Sequence, residues 1–219
     1  MKQLLNLLPF VVLFGMLWFA SCTAQTKLDM EKGPITTDAQ YKAKGLDVAY
    51  FADACFWCTE SIWECLQGVS IVESGYLGGT YPDTPTYSRH GDFAEGNRVI
   101  YNPEVITYTQ LVDAYFDGHS FGRSPDRGSS YRAIAFYDGS DQEIILRSRH
   151  EEETTEFQQE IRPISEVNWF IAEDYHQDYV SRLEAGENVP NPAYGRGESI
   201  PRRDEALRNI TAPNTCKND

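Results

Sequence analysis

Hydrophobic positions along the chain form one long apolar run near its start and a series of shorter segments after residue 45. Short apolar runs bounded by turn residues are typical of buried strands, whereas apolar residues that recur every three or four positions are typical of helices. The pattern predicts strands at residues 48–52, 69–72, 97–101 and 131–137, and further strand within 161–170. It predicts helices from residue 55 to Gly68, at 107–118, from 140 to about 159, and at 173–183.

The order of these elements predicts the class of fold. Helices and strands alternate, but without a regular series of parallel crossovers. We therefore predict an α+β fold, a two-layer sandwich in which helices pack on a mixed sheet with a ferredoxin-like split βαβ core. Glycine-rich loops at 75–95 and 118–130 are the expected places for chemistry. The tail after Gly186 is rich in Asn, Pro, Gly and charge, and we expect it to be irregular.

The apolar run near the start is typical of an export signal. Lys2 precedes it, and small residues lead directly to Cys22, as in a bacterial lipoprotein cleavage site. We expect a signal peptide over 1–21, a flexible tether over 22–44 that begins at a lipidated Cys22, and a catalytic domain over 45–219. The product would lie in the bacterial cell envelope, membrane-anchored and facing the periplasm or exterior. An uncleaved anchor and a soluble secreted protein are the alternatives.

The net charge and the spacing of the histidines argue against a nucleic-acid-binding protein and against a metalloprotein. The formal net charge is −14, which argues against binding nucleic acid through its phosphates. The four histidines are widely spaced, and none pairs with a cysteine at a metal-ligand spacing, so we predict no metal. The charge is that of a soluble exported domain, which we expect to be a monomer.

Cysteines carry the candidate chemistry. Cys55 lies at a predicted strand-to-helix turn, where the helix N-terminus favours a thiolate. Cys58 is three residues on, at about 5–6 Å between Cβ atoms, so the pair can close only if the first turn distorts. That geometry suits a transient disulfide. Cys65, ten residues after Cys55, lies about 15 Å from it along the predicted helix and is predicted to be a core residue. Cys216, in the tail, is either a free thiol or a second resolving cysteine.

A set of motifs follows in order along the chain: Cys55-Phe56-Trp57 with Glu60, Gly75-Tyr76-Leu77-Gly78-Gly79, Pro85-Thr86-Tyr87, Ala94-Glu95, Asp126-Arg127-Gly128-Ser129-Ser130-Tyr131-Arg132, and Ala172-Glu173-Asp174-Tyr175-His176-Gln177-Asp178-Tyr179. In this order they resemble the A-type peptide-methionine sulfoxide reductases, over about residues 48–180. The resemblance implies a thiol enzyme that reduces methionine S-sulfoxide, free or in proteins, without a cofactor.

The resemblance also implies a role for each residue. Cys55 is similar to the nucleophile that attacks the sulfoxide sulfur, and Phe56 and Trp57 to the apolar pocket for the S-methyl group. Glu95 resembles the acid at the departing oxygen, a role that needs burial to keep the carboxyl protonated. The remaining assignments are the phenols Tyr87 and Tyr131, the organising Asp126, and the resolving Cys58. A thioredoxin-like protein or a dithiol would then reduce the resulting disulfide.

The sequence departs from the family pattern near the nucleophile and the acid. Ala54 stands where the family has Gly, Phe93 where His is expected, and Ser130 where Gln is expected. The loop between Tyr87 and Glu95 is also several residues shorter than the usual loop of the family. The residues leave two other functions open. A thiol–disulfide oxidoreductase would also use a CxxC at a helix N-terminus, and a non-catalytic binding lipoprotein could keep the fold.

Overall fold

A computed structural model of the 219-residue chain describes residues 37–118, 130–153, 159–191 and 200–216. The strands are β1 Asp47–Ala52, β2 Val69–Leu77, β3 Ala94–Tyr101, β4 Ala133–Tyr137, β5 Gln159–Pro163 and β6 Phe170–Ile171. The α-helices are α1 Asp38–Lys42, α2 Phe56–Trp63, α3 Tyr108–Gly118, α4 Ser140–Glu151, α5 Tyr179–Glu184 and α6 Ile200–Asn209, with short 3-10 turns at Ile164–Glu166 and Asp174–His176.

The strands form one mixed sheet in the order β5-β4-β1-β3-β2-β6. β4 and β5 pair in parallel, and the other neighbours pair antiparallel. This architecture confirms the predicted α+β fold with a mixed sheet.

Alternation along β1 divides the core between the two faces of the sheet. Ala49 and Phe51 pack with the buried side chains of α2, α3 and α6, where Phe51 stacks on Trp63 and Tyr115. Val48 and Tyr50 face the opposite side, as the two-residue period of a strand requires. There the sheet is covered by α1 and by the segment around Trp169.

Residues 37–44 differ from the flexible tether expected at this position. Thr37 caps α1 through a hydrogen bond to the backbone of Gln40, and Tyr41 is buried. Asp38 accepts hydrogen bonds from Arg98 and from the Tyr50 hydroxyl. These contacts make α1 part of the domain, while residues 1–36, which include Cys22 and the predicted signal peptide, lie outside the described part of the chain.

Three predicted segments are wrong in extent. β2 continues through Gly75 to Leu77, where the sequence predicted a loop, because Gly75 leaves room for Phe170 and Trp169 to approach the strand. The helix predicted to reach about residue 159 ends at Glu151, and Gln159 begins β5. The tail is not irregular, since it contains α6. Within the described residues, no helix is both long and apolar enough to cross a bilayer.

Candidate active site

The candidate site lies where three loops meet at one end of the sheet. Because β1 runs antiparallel to β3 and β4, its C-terminal end lies beside the starts of both neighbours. Cys55 follows β1 and is the N-cap of α2, Glu95 is the second residue of β3, and Tyr131 shortly precedes β4. Backbone hydrogen bonds from Ala54 to Tyr131 and from Glu95 to Ser130 hold the three loops together.

These loops enclose a cavity of about 80 Å³. Pockets for drug-sized ligands are usually about 300–1,000 Å³, so this cavity suits the end of one side chain. Most residues predicted for the site from the sequence are in its wall. It is lined by Cys55, Phe56, Trp57, Tyr87, Glu95, Tyr131 and Asn191.

The two thiols of the CxxC pair are free, buried and hydrogen-bonded to each other. The hydrogen bond that the Cys55 thiol makes to Cys58, followed by burial, raises the pKa of Cys55 well above its usual value, although backbone hydrogen bonds at the start of α2 lower it. The start of α2 thus favours the thiolate, as the sequence predicted, but the Cys58 side chain and burial outweigh it. Cys55 rests as a thiol beside its neighbour.

Glu95 is the acidic group of the cavity. It is only 3% exposed, and its Oε2 accepts a hydrogen bond from the Phe56 backbone N–H at 3.2 Å. Burial is the main cause that raises the pKa of Glu95 from 4.5 to about 8. Glu95 is therefore protonated at neutral pH and able to donate, which is what an acid at a departing oxygen requires.

Tyr87 and Tyr131 lie at the rim, where 40% and 38% of each residue is exposed. Burial and the neighbouring Glu95 and Cys55 raise the pKa of both phenols. Both hydroxyls are therefore protonated donors at neutral pH. The Tyr87 ring also stacks near Phe56 and Trp57, at 6.4 and 6.2 Å between ring centroids.

Trp57 is held from two sides by residues of the last sequence motif, to which the sequence assigned no role. Its indole stacks on Tyr179 with ring centroids 3.9 Å apart, and its Nε1–H donates to Nδ1 of His176 at 3.0 Å. Burial lowers the pKa of His176 to about 4, so the ring is neutral and can accept this bond. The motif around His176 indicated that this residue belongs to the site, but the spacing of residues in the sequence could not show that its partner is Trp57.

Further polar contacts fix the loops around the cavity. Glu173 accepts hydrogen bonds from the Tyr76 hydroxyl and the Tyr87 backbone N–H, at 2.9 and 3.1 Å. Gln177 exchanges hydrogen bonds with both backbone groups of Ser74. Buried Asn97 donates a hydrogen bond to the Phe56 carbonyl and accepts one from the Thr59 hydroxyl. These two bonds hold the first turn of α2 against β3.

Ala54, the residue before the nucleophile, has φ +56°. A left-handed conformation costs an L-residue with a side chain roughly 1–2 kcal/mol, and glycine avoids this cost. The backbone conformation of the turn before Cys55 therefore favours Gly, although this chain has Ala there. Phe93, another departure from the family pattern, is buried against Phe170 behind the cavity.

Cys65 is fully buried in the main hydrophobic core, as predicted, and it also forms a disulfide with Cys216. This bond corrects the prediction for Cys216, which is neither a free thiol nor positioned to resolve Cys55. An antiparallel bridge between Leu66 and Asn214 brings the tail to this point. The apolar spacing of Ala206, Leu207 and Ile210 was the signal for α6. Asp126 and the lipidation candidate Cys22 lie outside the described residues.

Among the described residues, one cluster of three acidic side chains has a geometry that could hold a metal ion. Oxygens of Glu60, Glu64 and Asp178 lie within 4.8 Å of one another, between α2 and the start of α5. Acidic groups commonly cluster without a metal, and none of the three lines the cavity. We assign this cluster no part in the chemistry.

Comparison with known proteins agrees with the geometry. Residues 47–201 match the family model for peptide methionine sulfoxide reductase. Peptide methionine sulfoxide reductase MsrA of Methanosarcina mazei is 32% identical over 186 residues, which cover 76% of this chain and 87% of that protein. The MsrA of Deinococcus radiodurans is 39% identical over 144 residues, or 60% of this chain and 69% of that protein.

A solved structure supports the same assignment. Mxr1 from Saccharomyces cerevisiae in its reduced form superposes with a TM-score of 0.53 and 27% identity, covering 67% of this chain and 91% of that chain. Methionine sulfoxide reductase A of Corynebacterium diphtheriae, at 24% identity and a TM-score of 0.54, shares the fold over 67% of this chain and 79% of that chain. The chain therefore belongs to the peptide methionine sulfoxide reductase family.

Proposed function

We propose that the enzyme reduces methionine S-sulfoxide to methionine with Cys55 as nucleophile, Glu95 as acid and Cys58 as resolving thiol. The observation that carries this proposal is the shared cavity. A buried thiol and a buried, protonated carboxyl face one space whose remaining wall is largely aromatic. The cavity matches a substrate that presents a small apolar methyl group beside a polar S–O bond.

The first step joins Cys55 to the substrate sulfur. The Cys55 thiol loses its proton as it attacks, while Glu95 delivers a proton to the sulfoxide oxygen and Tyr87 and Tyr131 donate hydrogen bonds to it. The oxygen then passes from the substrate sulfur to Sγ of Cys55, as the S–O bond and the bond between the two sulfurs both break; methionine leaves and Cys55 becomes a sulfenic acid. The proton that Cys55 released returns to Glu95 and replaces the one it gave. The substrate sulfur is reduced by two electrons and Cys55 is oxidised by two.

The second step resets the nucleophile. The Cys58 thiol attacks the Cys55 sulfenic acid, which releases water and forms the Cys55–Cys58 disulfide. Their hydrogen bond supports this pairing because it places the two sulfurs in contact before oxidation. An external thioredoxin-like protein or small dithiol then reduces the pair by exchange.

We propose further that the enzyme works outside the cytoplasm, as a lipoprotein anchored through Cys22, and repairs oxidised envelope proteins. The apolar run before Cys22 supports export. The Cys65–Cys216 disulfide supports it independently, because disulfides persist mainly in oxidising compartments. A Cys22→Ala variant tests the anchor: it should be released from the membrane fraction, and retention would refute lipidation at this residue.

A single-turnover assay on separate epimers of methionine sulfoxide tests the chemistry. Wild type should release methionine from the S epimer, and Cys55→Ser should release none. Cys58→Ser should release about one methionine per enzyme and then stall with thioredoxin. Full thioredoxin-driven turnover by Cys58→Ser would refute the resolving role. Disulfide exchange without any sulfoxide reduction would favour a thiol–disulfide oxidoreductase, and absence of both activities would favour a binding protein.

A further inference from the structure

The C-terminal segment 200–216, here called the brace, packs on the side of α2 remote from the cavity. Ala206 and Leu207 of α6, and Ile210 directly after it, are buried in the same cluster as Trp63 and Leu66, at the far end of α2 and just beyond it. None of the described residues of the brace lines the cavity. The brace can therefore affect the site only through the elements that it holds.

Two ties join the brace to two different helices. The Cys65–Cys216 disulfide fixes its end just beyond α2. Arg203 of α6, with its side chain only 6% exposed, makes two hydrogen bonds of 2.7 and 2.8 Å to the carboxylate of Glu184, the last residue of α5. The brace thus bridges α2 and α5, which also meet directly through the Ser181 hydroxyl and Glu64 at 2.6 Å.

These two helices carry a stacked pair of aromatic rings, of which Trp57 lines the cavity and Tyr179 supports it from behind. α2 supplies Trp57, and α5 supplies Tyr179, which lies against the indole face. The Tyr179 hydroxyl also donates to the carbonyls of Pro190 and Asn191, and Asn191 lines the cavity. The position of α5 relative to α2 therefore sets both the support of Trp57 and the placement of Asn191.

We infer that Arg203 and the Cys65–Cys216 disulfide are positioning elements that set the width of the methyl-sulfoxide pocket by fixing α5 against α2. This inference rests on the proposed function, since it concerns the affinity of that same pocket. Contact with a methyl group weakens within a gap of about 0.5–1 Å, so a small separation of the two helices is enough to lose binding. Because Cys55 follows β1 and Glu95 lies in β3, we expect the brace to affect binding more than the chemical step.

The test is a single-turnover titration with N-acetylmethionine S-sulfoxide, which needs no external reductant. Each enzyme starts with Cys55 and Cys58 reduced, and wild type is used only if thiol titration shows the Cys65–Cys216 disulfide intact. The variants are Cys65→Ala/Cys216→Ala, Arg203→Met and the conservative Arg203→Lys. Half-saturation and the maximal rate are measured separately, with the melting temperature recorded for each protein.

Arg149→Met is the matched control. Arg149 bonds Asp117 at 2.7 Å and so ties α4 to α3, and neither of these helices lines the cavity. Its loss should lower stability without affecting the pocket. It separates a change in pocket width from a general loss of stability.

We expect the double cysteine variant and Arg203→Met each to raise the half-saturating concentration by about tenfold, since losing the contacts of one methylene in an apolar pocket costs about 10- to 200-fold. The maximal rate should stay within about twofold of wild type, and Arg203→Lys should restore part of the affinity. Unchanged half-saturation in the brace variants would overturn the inference, as would an equal rise in Arg149→Met. If wild type itself released no methionine, the proposed function would fail instead.

Discussion

Replacing Glu95 by Gln should change how the stability of the protein depends on pH. The pKa of Glu95 rises from 4.5 to about 8 on folding, chiefly through burial. A carboxyl with a raised pKa keeps its proton in the folded state and loses it in the unfolded state, so it costs stability as pH rises from 4.5 to about 8 and leaves a constant cost above that. A glutamine side chain at this position keeps the acceptor for the Phe56 N–H and cannot ionise.

The size of the effect follows from the two pKa values. A difference of one between the folded and unfolded pKa corresponds to about 1.4 kcal/mol, so the full cost above pH 8 is about 5 kcal/mol. Between pH 5 and pH 8, the free energy of unfolding of wild type should fall by about 3.5 kcal/mol relative to Glu95→Gln. Effects of other titrating groups are common to both proteins and cancel in this difference.

Urea denaturation of both proteins at pH 5 and pH 8 measures the difference. With the typical urea dependence of about 1–3 kcal/mol per M, the difference between the two midpoints should change by roughly 1–3.5 M between these pH values. Glu104→Gln, at an exposed carboxylate in the turn after β3, is the control and should follow wild type at both pH values. Parallel pH profiles for wild type and Glu95→Gln would refute the assignment of a raised pKa. The same variant should slow single-turnover methionine release by roughly 100- to 10,000-fold, since Gln cannot deliver a proton.

Three further predictions concern the nucleophile turn and the disulfide. Ala54→Gly should stabilise the protein by about 0.5–1 kcal/mol in urea denaturation, because glycine adopts φ +56° without steric cost; a loss of stability would contradict this. Cys58→Ala should speed the alkylation of Cys55 by iodoacetamide at neutral pH, because it removes the hydrogen bond that raises the pKa of Cys55; slower alkylation would count against that cause. Cys65→Ala/Cys216→Ala should lower the free energy of unfolding by at most about 5 kcal/mol, the chain-entropy value for a closed loop of this length, and an unchanged urea midpoint would show that the bond does not constrain the unfolded chain.

Local patterns are enough to predict the framework around the nucleophile. β1 is a short apolar run between two aspartates, and α2 follows with helical spacing, so the sequence alone places Cys55 at their junction. The ordered motifs then identify Glu95, Tyr87 and Tyr131, which β3 and the loops before β3 and β4 bring to the same cavity. Strand pairing explains this convergence, and strand pairing is not visible in a local pattern.

Features that depend on contacts between distant residues could not be predicted. The pairing of Cys65 with Cys216 depends on how the tail packs against α2. The positions of the cysteines along the sequence do not reveal that packing. The hydrogen bond from Trp57 to His176 joins residues 119 positions apart. The raised pKa of Cys55 likewise follows from the Cys58 thiol and from burial, and these outweigh the helix terminus that is visible in the sequence.

The disulfide between Cys65 and Cys216 closes a covalent ring that spans 151 positions. Strands β2 to β6 lie inside this ring, whereas β1, α2 and both thiols of the CxxC pair lie on the arm that precedes it. A protease that cuts any one loop of the ring cannot release a fragment until the disulfide is reduced. A nicked enzyme would therefore keep all of its strands covalently joined to the arm that bears Cys55.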